Sequence, residues 1–246
     1  MKLLVAALLG TLLSAVGPAT AETLPCAPQS PVGAVCEAEL AQLHPTQFGV
    51  GMLQVSDEMR KLKNKSPAGL RKTALKKRIA VVIGPDGNLW LVDRHHFSRA
   101  LWELGERQAP VSIVGRIDQH DGFWQAMKAA KWAWLYDERG NPLEPAALPR
   151  QIKDMPDYSY RALAGFAEDE HFFNKPGQIY FIEFAWARYF GEQLGWAPIT
   201  ADNLPQRLDQ ARRVACQPAA ATLPGYPGAA CRKPNHPTAP GYRTND

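Results

Sequence analysis

The order of apolar and polar positions along the chain predicts alternating short strands and helices. Residues 79–93, IAVVIGPDGNLWLVD, contain two apolar runs around a Gly-Pro-Asp-Gly turn at 84–87, which is typical of a β-hairpin. In residues 97–104 the apolar side chains recur with the spacing of a helix that buries one face. The pattern therefore predicts a strand-to-helix corner between these two segments.

Similar patterns predict further elements. Residues 57–78 indicate two helices divided by a Ser-Pro break at 66–67, with Leu62, Leu70 and Leu75 on their buried side. The remaining segments are a strand at 109–118, a helix at 121–137 entered through Asp121, and helices at 158–169 and 179–195. We find no internal repeat and no second domain. The sequence thus predicts one compact α+β domain, with a small sheet and surrounding helices.

The first 21 residues have the features of a secretory signal peptide. Lys2 supplies a short positive region, residues 3–16 are apolar, and the small residues Ala-Thr-Ala at 19–21 fit a cleavage site after Ala21. A retained membrane anchor is the alternative, although the apolar run is short and is followed by Gly17-Pro18. Cleavage predicts a secreted or periplasmic protein with no stable membrane span.

Four cysteines lie near the two ends of the chain, at Cys26, Cys36, Cys216 and Cys231. An even number of cysteines in an exported chain indicates two disulfides, for which three pairings exist. We favour Cys26–Cys36 and Cys216–Cys231, which close short loops. The sequence contains no CxxC spacing, so the cysteines do not indicate a zinc site. The predicted organisation is a signal peptide (1–21), a Pro-rich disulfide-bearing segment (22–39), the folded domain (40–215) and a Pro/Gly-rich disulfide-bearing tail (216–246).

Charge adds one feature to this picture. The formal net charge is +4, a mild balance that does not by itself imply nucleic-acid binding. Residues 60–78, however, contain nine Lys or Arg residues and no acid. This span is either a phosphate-backbone contact or an ordinary pair of solvated helices, and both interpretations remain open.

The predicted corner carries the residues Asp93-Arg94-His95-His96. Unpaired N–H groups in the first turn of a helix, together with the helix dipole, favour binding of phosphate or carboxylate. His95 and His96 are candidates for a general base or a phosphate ligand, and Asp93 for orienting an imidazole or binding a divalent cation such as Mg²⁺ or Mn²⁺. The alternative is structural, with Asp93 as the helix N-cap and the histidines as packing or surface residues.

A second candidate group lies in the last two helices. Glu183 falls on an apolar stripe, where an unpaired carboxylate would be costly. The Glu183 carboxylate either orients a histidine or is a metal ligand, or it forms an ion pair with Arg161 or Arg188. Arg161 is a candidate phosphate contact.

Five segments in order resemble the ParB-like nuclease-domain proteins, specifically their exported branch within the ParB/sulfiredoxin superfamily. They are LHPTQFGVG at 43–51, VVIGPDGNLWLVDRHHFSRAL at 81–101, DGFWQAM at 121–127, LPRQIKDMPDYSYRALAG at 148–165 and FFNKPGQIYFIEFAWARYF at 172–190. The resemblance covers about residues 40–195. It implies a compact α+β domain whose Asp-x-His-His loop lies at a phosphate or nucleotide site.

Departures from the family pattern argue against chromosome partitioning and against the sulfiredoxin reaction. The Gly-Glu-Arg-Arg box and the helix-turn-helix domain of partition proteins are absent from the sequence, and His95 replaces the sulfiredoxin cysteine. Several relatives have an arginine directly after the histidine pair, but Phe97 stands here, so Arg94 or Arg99 would have to contact phosphate. The resemblance implies hydrolysis of phosphodiester or phosphate-ester bonds, with nucleic acid as a candidate partner. The competing hypothesis is a non-catalytic domain that binds phosphate, a nucleotide or a protein partner.

Overall fold

The structure is a computed structural model that describes residues 23–175 and 181–228. Its strands are β1 (Val35–Glu39), β2 (Leu43–Pro45), β3 (Ile79–Ile83), β4 (Leu89–Leu91) and β5 (Gln108–Arg116). Its α-helices are α1 (Met52–Leu62), α2 (Pro67–Lys77), α3 (His95–Glu103), α4 (Phe123–Ala129), α5 (Ser159–Asp169), α6 (Ile182–Leu194) and α7 (Leu204–Ala215). The predicted α+β class is confirmed.

The strands form one mixed sheet in the order β1-β5-β3-β4-β2. The predicted hairpin is present, because β3 and β4 pair antiparallel with Val81 opposite Leu91, and Gly87 supplies a positive φ of 73° in the turn. β4 also pairs in parallel with β2, so it lies inside the sheet. The Asp-Arg-His-His segment follows shortly after this interior strand and leads into α3.

Both faces of the sheet are covered. On one face, Val81 and its neighbours pack with Leu70 of α2 and Leu101 of α3. On the other face, Val82 packs with Phe123 of α4 and with the segment that follows it. Burial on both sides explains why every residue of β3 is buried.

A separate helical layer is built from α5, α6 and α7 around a second apolar cluster, in which Phe173 stacks on Trp186 at a ring separation of 4.5 Å. This layer meets the sheet layer through α1. Gly51 at the start of α1 allows the approach, since a Cβ there would lie 2.6 Å from the backbone of Ala162 in α5. Two of the candidate residues described below, His96 and Arg161, make hydrogen bonds to residues at the start of α1.

Two details of the predicted helices are wrong. The predicted helix 121–137 stops at Ala129 and begins after Gly122 rather than at Asp121, and Lys131 adopts a positive φ of 57° beyond it. Leu75 is 43% exposed, whereas Leu62 and Leu70 are buried. Ala74 takes the buried place because it lies four residues, about one helical turn, after Leu70.

The N-terminal segment is tied into the domain. β1 pairs with β5, so the sheet begins before the predicted boundary at residue 40. The predicted Cys26–Cys36 disulfide is present. The signal peptide and Cys231, the predicted partner of Cys216, lie outside the described residues. Over the described part of the chain, every helix is too short or too polar to cross a bilayer.

Candidate functional site

The corner between β4 and α3 is a tight turn made by Val92, Asp93 and Arg94. His95 and His96 form the first turn of α3, as the sequence predicted. Arg94 occupies the N-cap position in a left-handed conformation, with φ 68°, and no side chain caps the helix. The carboxylate of Asp93 accepts the Arg94 N–H at 2.7 Å. Asp93 is therefore not the N-cap, and the structural alternative given for it is wrong by one residue.

His95 is buried and connects the corner to the neighbouring strand. Its Nε2 atom accepts a hydrogen bond from the backbone N–H of Thr46 at 3.4 Å. The Thr46 hydroxyl in turn donates to the Leu91 carbonyl at 2.7 Å. Burial, together with the nearby charge of Arg161, lowers the pKa of His95 to about 3. The ring is therefore neutral at physiological pH, and its accepting nitrogen is already in use.

His96 holds the start of α1 in a similar way. Its Nε2 atom accepts the backbone N–H of Gly51 at 2.9 Å. Burial lowers the pKa of His96 well below its usual value, Arg161 and His95 lower it further, and Glu183 opposes them. Both histidines thus fix loops that lie 45–49 residues away in the sequence. Their predicted roles as general base or phosphate ligand stay predictions.

The two candidate arginines of this region lie in different surroundings. Arg94 is exposed at the corner, where its Nε donates to the carbonyl of Lys77 at the end of α2 at 3.1 Å. Arg99, one turn further along α3, donates to the carbonyls of Ile152 and Met155 and pairs with Glu103. Arg94 thus presents an exposed side chain at the corner, whereas Arg99 uses Nη1 to hold the 152–155 turn and Nε to contact Glu103.

Arg161 and Glu183 come together, as one of the two sequence interpretations proposed. An Arg161 guanidinium nitrogen lies 3.5 Å from the Glu183 carboxylate, and both side chains are about 90% buried. Arg161 also donates to the Gln54 side chain at 3.1 Å and packs over the Phe184 ring. Arg188, the other proposed partner of Glu183, instead pairs with Glu192 at the surface.

Sequence reasoning missed three members of this cluster, Gln54, Glu168 and Lys175. Lys175 donates to Glu183 at 2.9 Å and lies 3.5 Å from Glu168. Glu168 follows Arg161 by seven residues on α5, which places both on one helix face. That spacing is the available sequence signal. We call Gln54, Arg161, Glu168, Lys175 and Glu183 the Arg161–Glu183 cluster.

The two carboxyl groups of the cluster have opposite pKa shifts. Burial raises the pKa of Glu168 to about 7, and its hydrogen bond with Glu183 adds to the shift. For Glu183, burial alone would raise the pKa, but Arg161, Glu168 and Lys175 together hold it well below the usual range. At neutral pH Glu183 is therefore ionised, and Glu168 carries a proton part of the time.

Metal ligation would need several such groups at one point. Within residues 23–175 and 181–228, no three His, Cys, Asp or Glu side chains come together as a cation site. One oxygen of the Asp93 carboxylate accepts the backbone N–H of Arg94, and the other oxygen lies 3.5 Å from the Arg94 Nε. The role of Asp93 as a ligand for Mg²⁺ or Mn²⁺ stays a prediction.

Comparisons with known proteins agree on the family. The family described as "Putative ParB-like nuclease" matches residues 36–192. Among solved structures, the crystal structure of protein Atu1540 from Agrobacterium tumefaciens is similar, with 26% identity and a TM-score of 0.67 over 79% of this chain and 98% of that one. No curated protein matches. Since the family match spans more than half of the chain, this protein belongs to the ParB-like nuclease family.

Proposed function

We propose that this protein binds a phosphate ester at the α3 corner and hydrolyses it, as an exported nuclease or phosphoesterase. The observation that carries the proposal is the uncapped first turn of α3, beside the exposed side chain of Arg94. Backbone N–H groups at such a turn bind phosphate oxygens, and a guanidinium pairs with them from the side. The family membership supports the same chemistry.

In this proposal the two histidines position the site. Each ring uses its Nε2 atom to accept a backbone N–H, and each has a lowered pKa, so neither is well suited to take a proton from water. Asp93 is the accessible carboxylate of the corner, with 39% of its side chain exposed. It is the group that would accept the proton of the attacking water or bind a divalent cation. Water then attacks phosphorus, the ester P–O bond breaks, and the leaving oxygen takes a proton from solvent.

The second candidate function is phosphate or nucleotide binding without catalysis. It is favoured by the same locked, neutral histidines, since a corner that only binds an anion needs no proton acceptor. It uses the same N–H groups and Arg94. The two functions therefore differ in whether the charge of Asp93 matters.

Export belongs to the proposal as well. The Cys26–Cys36 disulfide fits an oxidising compartment outside the cytoplasm. Intact mass of the exported protein would test it, with a mature chain starting at Glu22 as the expected result and an uncleaved N-terminus as the contrary one.

The test of hydrolysis compares the exported protein with its Asp93→Asn and Asp154→Asn variants. Turnover of bis(p-nitrophenyl) phosphate is measured with Mg²⁺, with Mn²⁺ and with EDTA. We expect turnover in the wild type and a loss of about 10²–10⁴-fold in Asp93→Asn, the range for a lost acid–base group. Asp154, an exposed carboxylate paired with Lys153, is the matched control and should change little.

The outcomes separate the two functions. Wild-type binding of inorganic phosphate by thermal shift, without turnover under any metal condition, would refute hydrolysis and leave the binding function. Full turnover in Asp93→Asn would refute the role of Asp93.

A further inference from the structure

The basic span 60–78 is only partly neutralised by its surroundings. Four of its nine cations are paired, since Arg60 and Lys61 contact Asp57, Arg71 contacts Glu37 and Lys77 contacts Glu58. The other five form no ion pair within the described chain, and all five are exposed; they are Lys63, Lys65, Lys72, Lys76 and Arg78. We call these five residues the basic strip.

The strip follows the outer side of α2. Leu70 and Ala74 turn inward to the sheet, and Lys72 and Lys76 are exposed on the other side. Lys72 and Lys76 are four residues apart, which separates them by about 6 Å along the helix axis. Lys65 lies in the α1–α2 turn, two residues before α2 begins at Pro67, and so extends the row of cations beyond the N-terminal end of α2.

The C-terminal end of the strip reaches the α3 corner. Arg78 ends α2 in a left-handed conformation, with φ 54°. The carbonyl of Lys77, one residue earlier, accepts the hydrogen bond from Arg94. The last cation of the strip therefore lies next to the corner where we propose that phosphate binds. A row of unpaired cations that ends at a phosphate site suits a polyanion with regularly spaced charges.

We infer that the basic strip binds the backbone of a single nucleic-acid strand and leads it into the α3 corner. The inference rests on the proposed function and names its substrate as a polynucleotide rather than a mononucleotide. An anionic membrane is the other polyanion to consider. In the described structure of residues 60–78, Leu75 is the one exposed large apolar side chain, whereas a helix that lies in a membrane interface exposes a whole apolar face.

The test measures binding of a fluorescein-labelled 20-mer of single-stranded DNA by anisotropy across a salt series, in EDTA. The Lys72→Gln/Lys76→Gln variant is compared with wild type and with Lys128→Gln/Lys131→Gln. Lys128 and Lys131 are also exposed and without an ion pair in the described chain, and they belong to the segment on the opposite face of the sheet. Thermal midpoints verify that all three proteins are folded.

Loss of two phosphate contacts should reduce the slope of log K against log salt by about 1.4, and weaken binding about 25-fold at 0.1 M salt. The control pair should leave both quantities unchanged. Equal affinities for the strip and control variants would overturn the inference. So would a wild type that binds vesicles of phosphatidylglycerol through Lys72 and Lys76 but does not bind the DNA strand.

Failure of the inference is distinguishable from failure of the proposed function. Turnover of bis(p-nitrophenyl) phosphate needs only the corner, so the strip variant should retain it. A protein that binds DNA through the strip but hydrolyses nothing would refute hydrolysis and support the strip. A protein that hydrolyses the small ester but binds no strand would refute the strip alone.

Discussion

Replacing Glu183 by Gln should lower the free energy of unfolding by up to about 3–5 kcal/mol, because it removes the carboxylate that pairs with the buried Arg161. Glutamine keeps the shape of the side chain and can still accept from Lys175, so the change removes mainly the charge. At 3.5 Å and an effective dielectric constant of about 20, the Arg161–Glu183 attraction is about 4–5 kcal/mol. Both side chains are about 90% buried, so solvent screens this attraction little.

Urea unfolding at pH 7, followed by far-UV circular dichroism, measures the effect. The matched control is Glu192→Gln in the same helix, because its pair with Arg188 is 55% and 47% exposed. Exposed pairs contribute about 0–1 kcal/mol, so the control should differ from wild type by less than 1 kcal/mol. Equal small losses in both variants would refute the reasoning. In a double mutant, adding Arg161→Met should recover part of the loss, since no unpaired charge then stays buried.

Two further predictions concern the same cluster. Glu168 has a pKa of about 7 in the folded protein, above its unfolded value of 4.5, so protonation of this carboxyl group stabilises the fold. This contribution to the free energy of unfolding is complete below about pH 4.5 and is lost as the pH rises through 7. Glu168→Gln should therefore reduce the stability difference between pH 5 and pH 8 by up to about 3 kcal/mol in urea unfolding, and an unchanged difference would contradict the raised pKa. Gly165→Ala should destabilise, because its Cβ would meet the Gln54 side chain that binds Arg161. In a Gln54→Ala background the same change should instead stabilise by up to about 1 kcal/mol through helix propensity, and continued destabilisation there would contradict the clash.

Local sequence patterns predicted the elements whose signals are contained within a few residues. The Gly-Pro-Asp-Gly turn predicted the β3–β4 hairpin, and Ser66 caps α2 by accepting the Gly69 N–H, directly before a proline at the first helical position. Gly195 ends α6 with a positive φ. Each of these features depends on backbone conformations that particular residues favour, so the sequence is sufficient.

Elements that depend on distant contacts were missed or misassigned. The segment after α4 has helical apolar spacing, but Trp134 stacks on Phe184 of α6 at 5.3 Å, a tertiary contact that favours the non-helical path. α7 was missed because its buried face consists mostly of alanines, with Leu204, Ala211 and Ala215 buried. Small side chains give a weak periodic signal, although they let helices pack closely.

The candidate site shows the same division between local and distant determinants. The sequence located His95 and His96 at the first turn of α3, because a strand and a helix pattern meet there. It could not show that both rings accept backbone N–H groups from the segment 46–51, since no local pattern encodes a hydrogen bond across 45 or more residues. Those bonds change the expected chemistry, because they make the imidazoles part of the scaffold. What they leave at the corner is Asp93, Arg94 and the uncapped helix N-terminus, and these are the groups on which we propose that binding or hydrolysis of a phosphate ester depends.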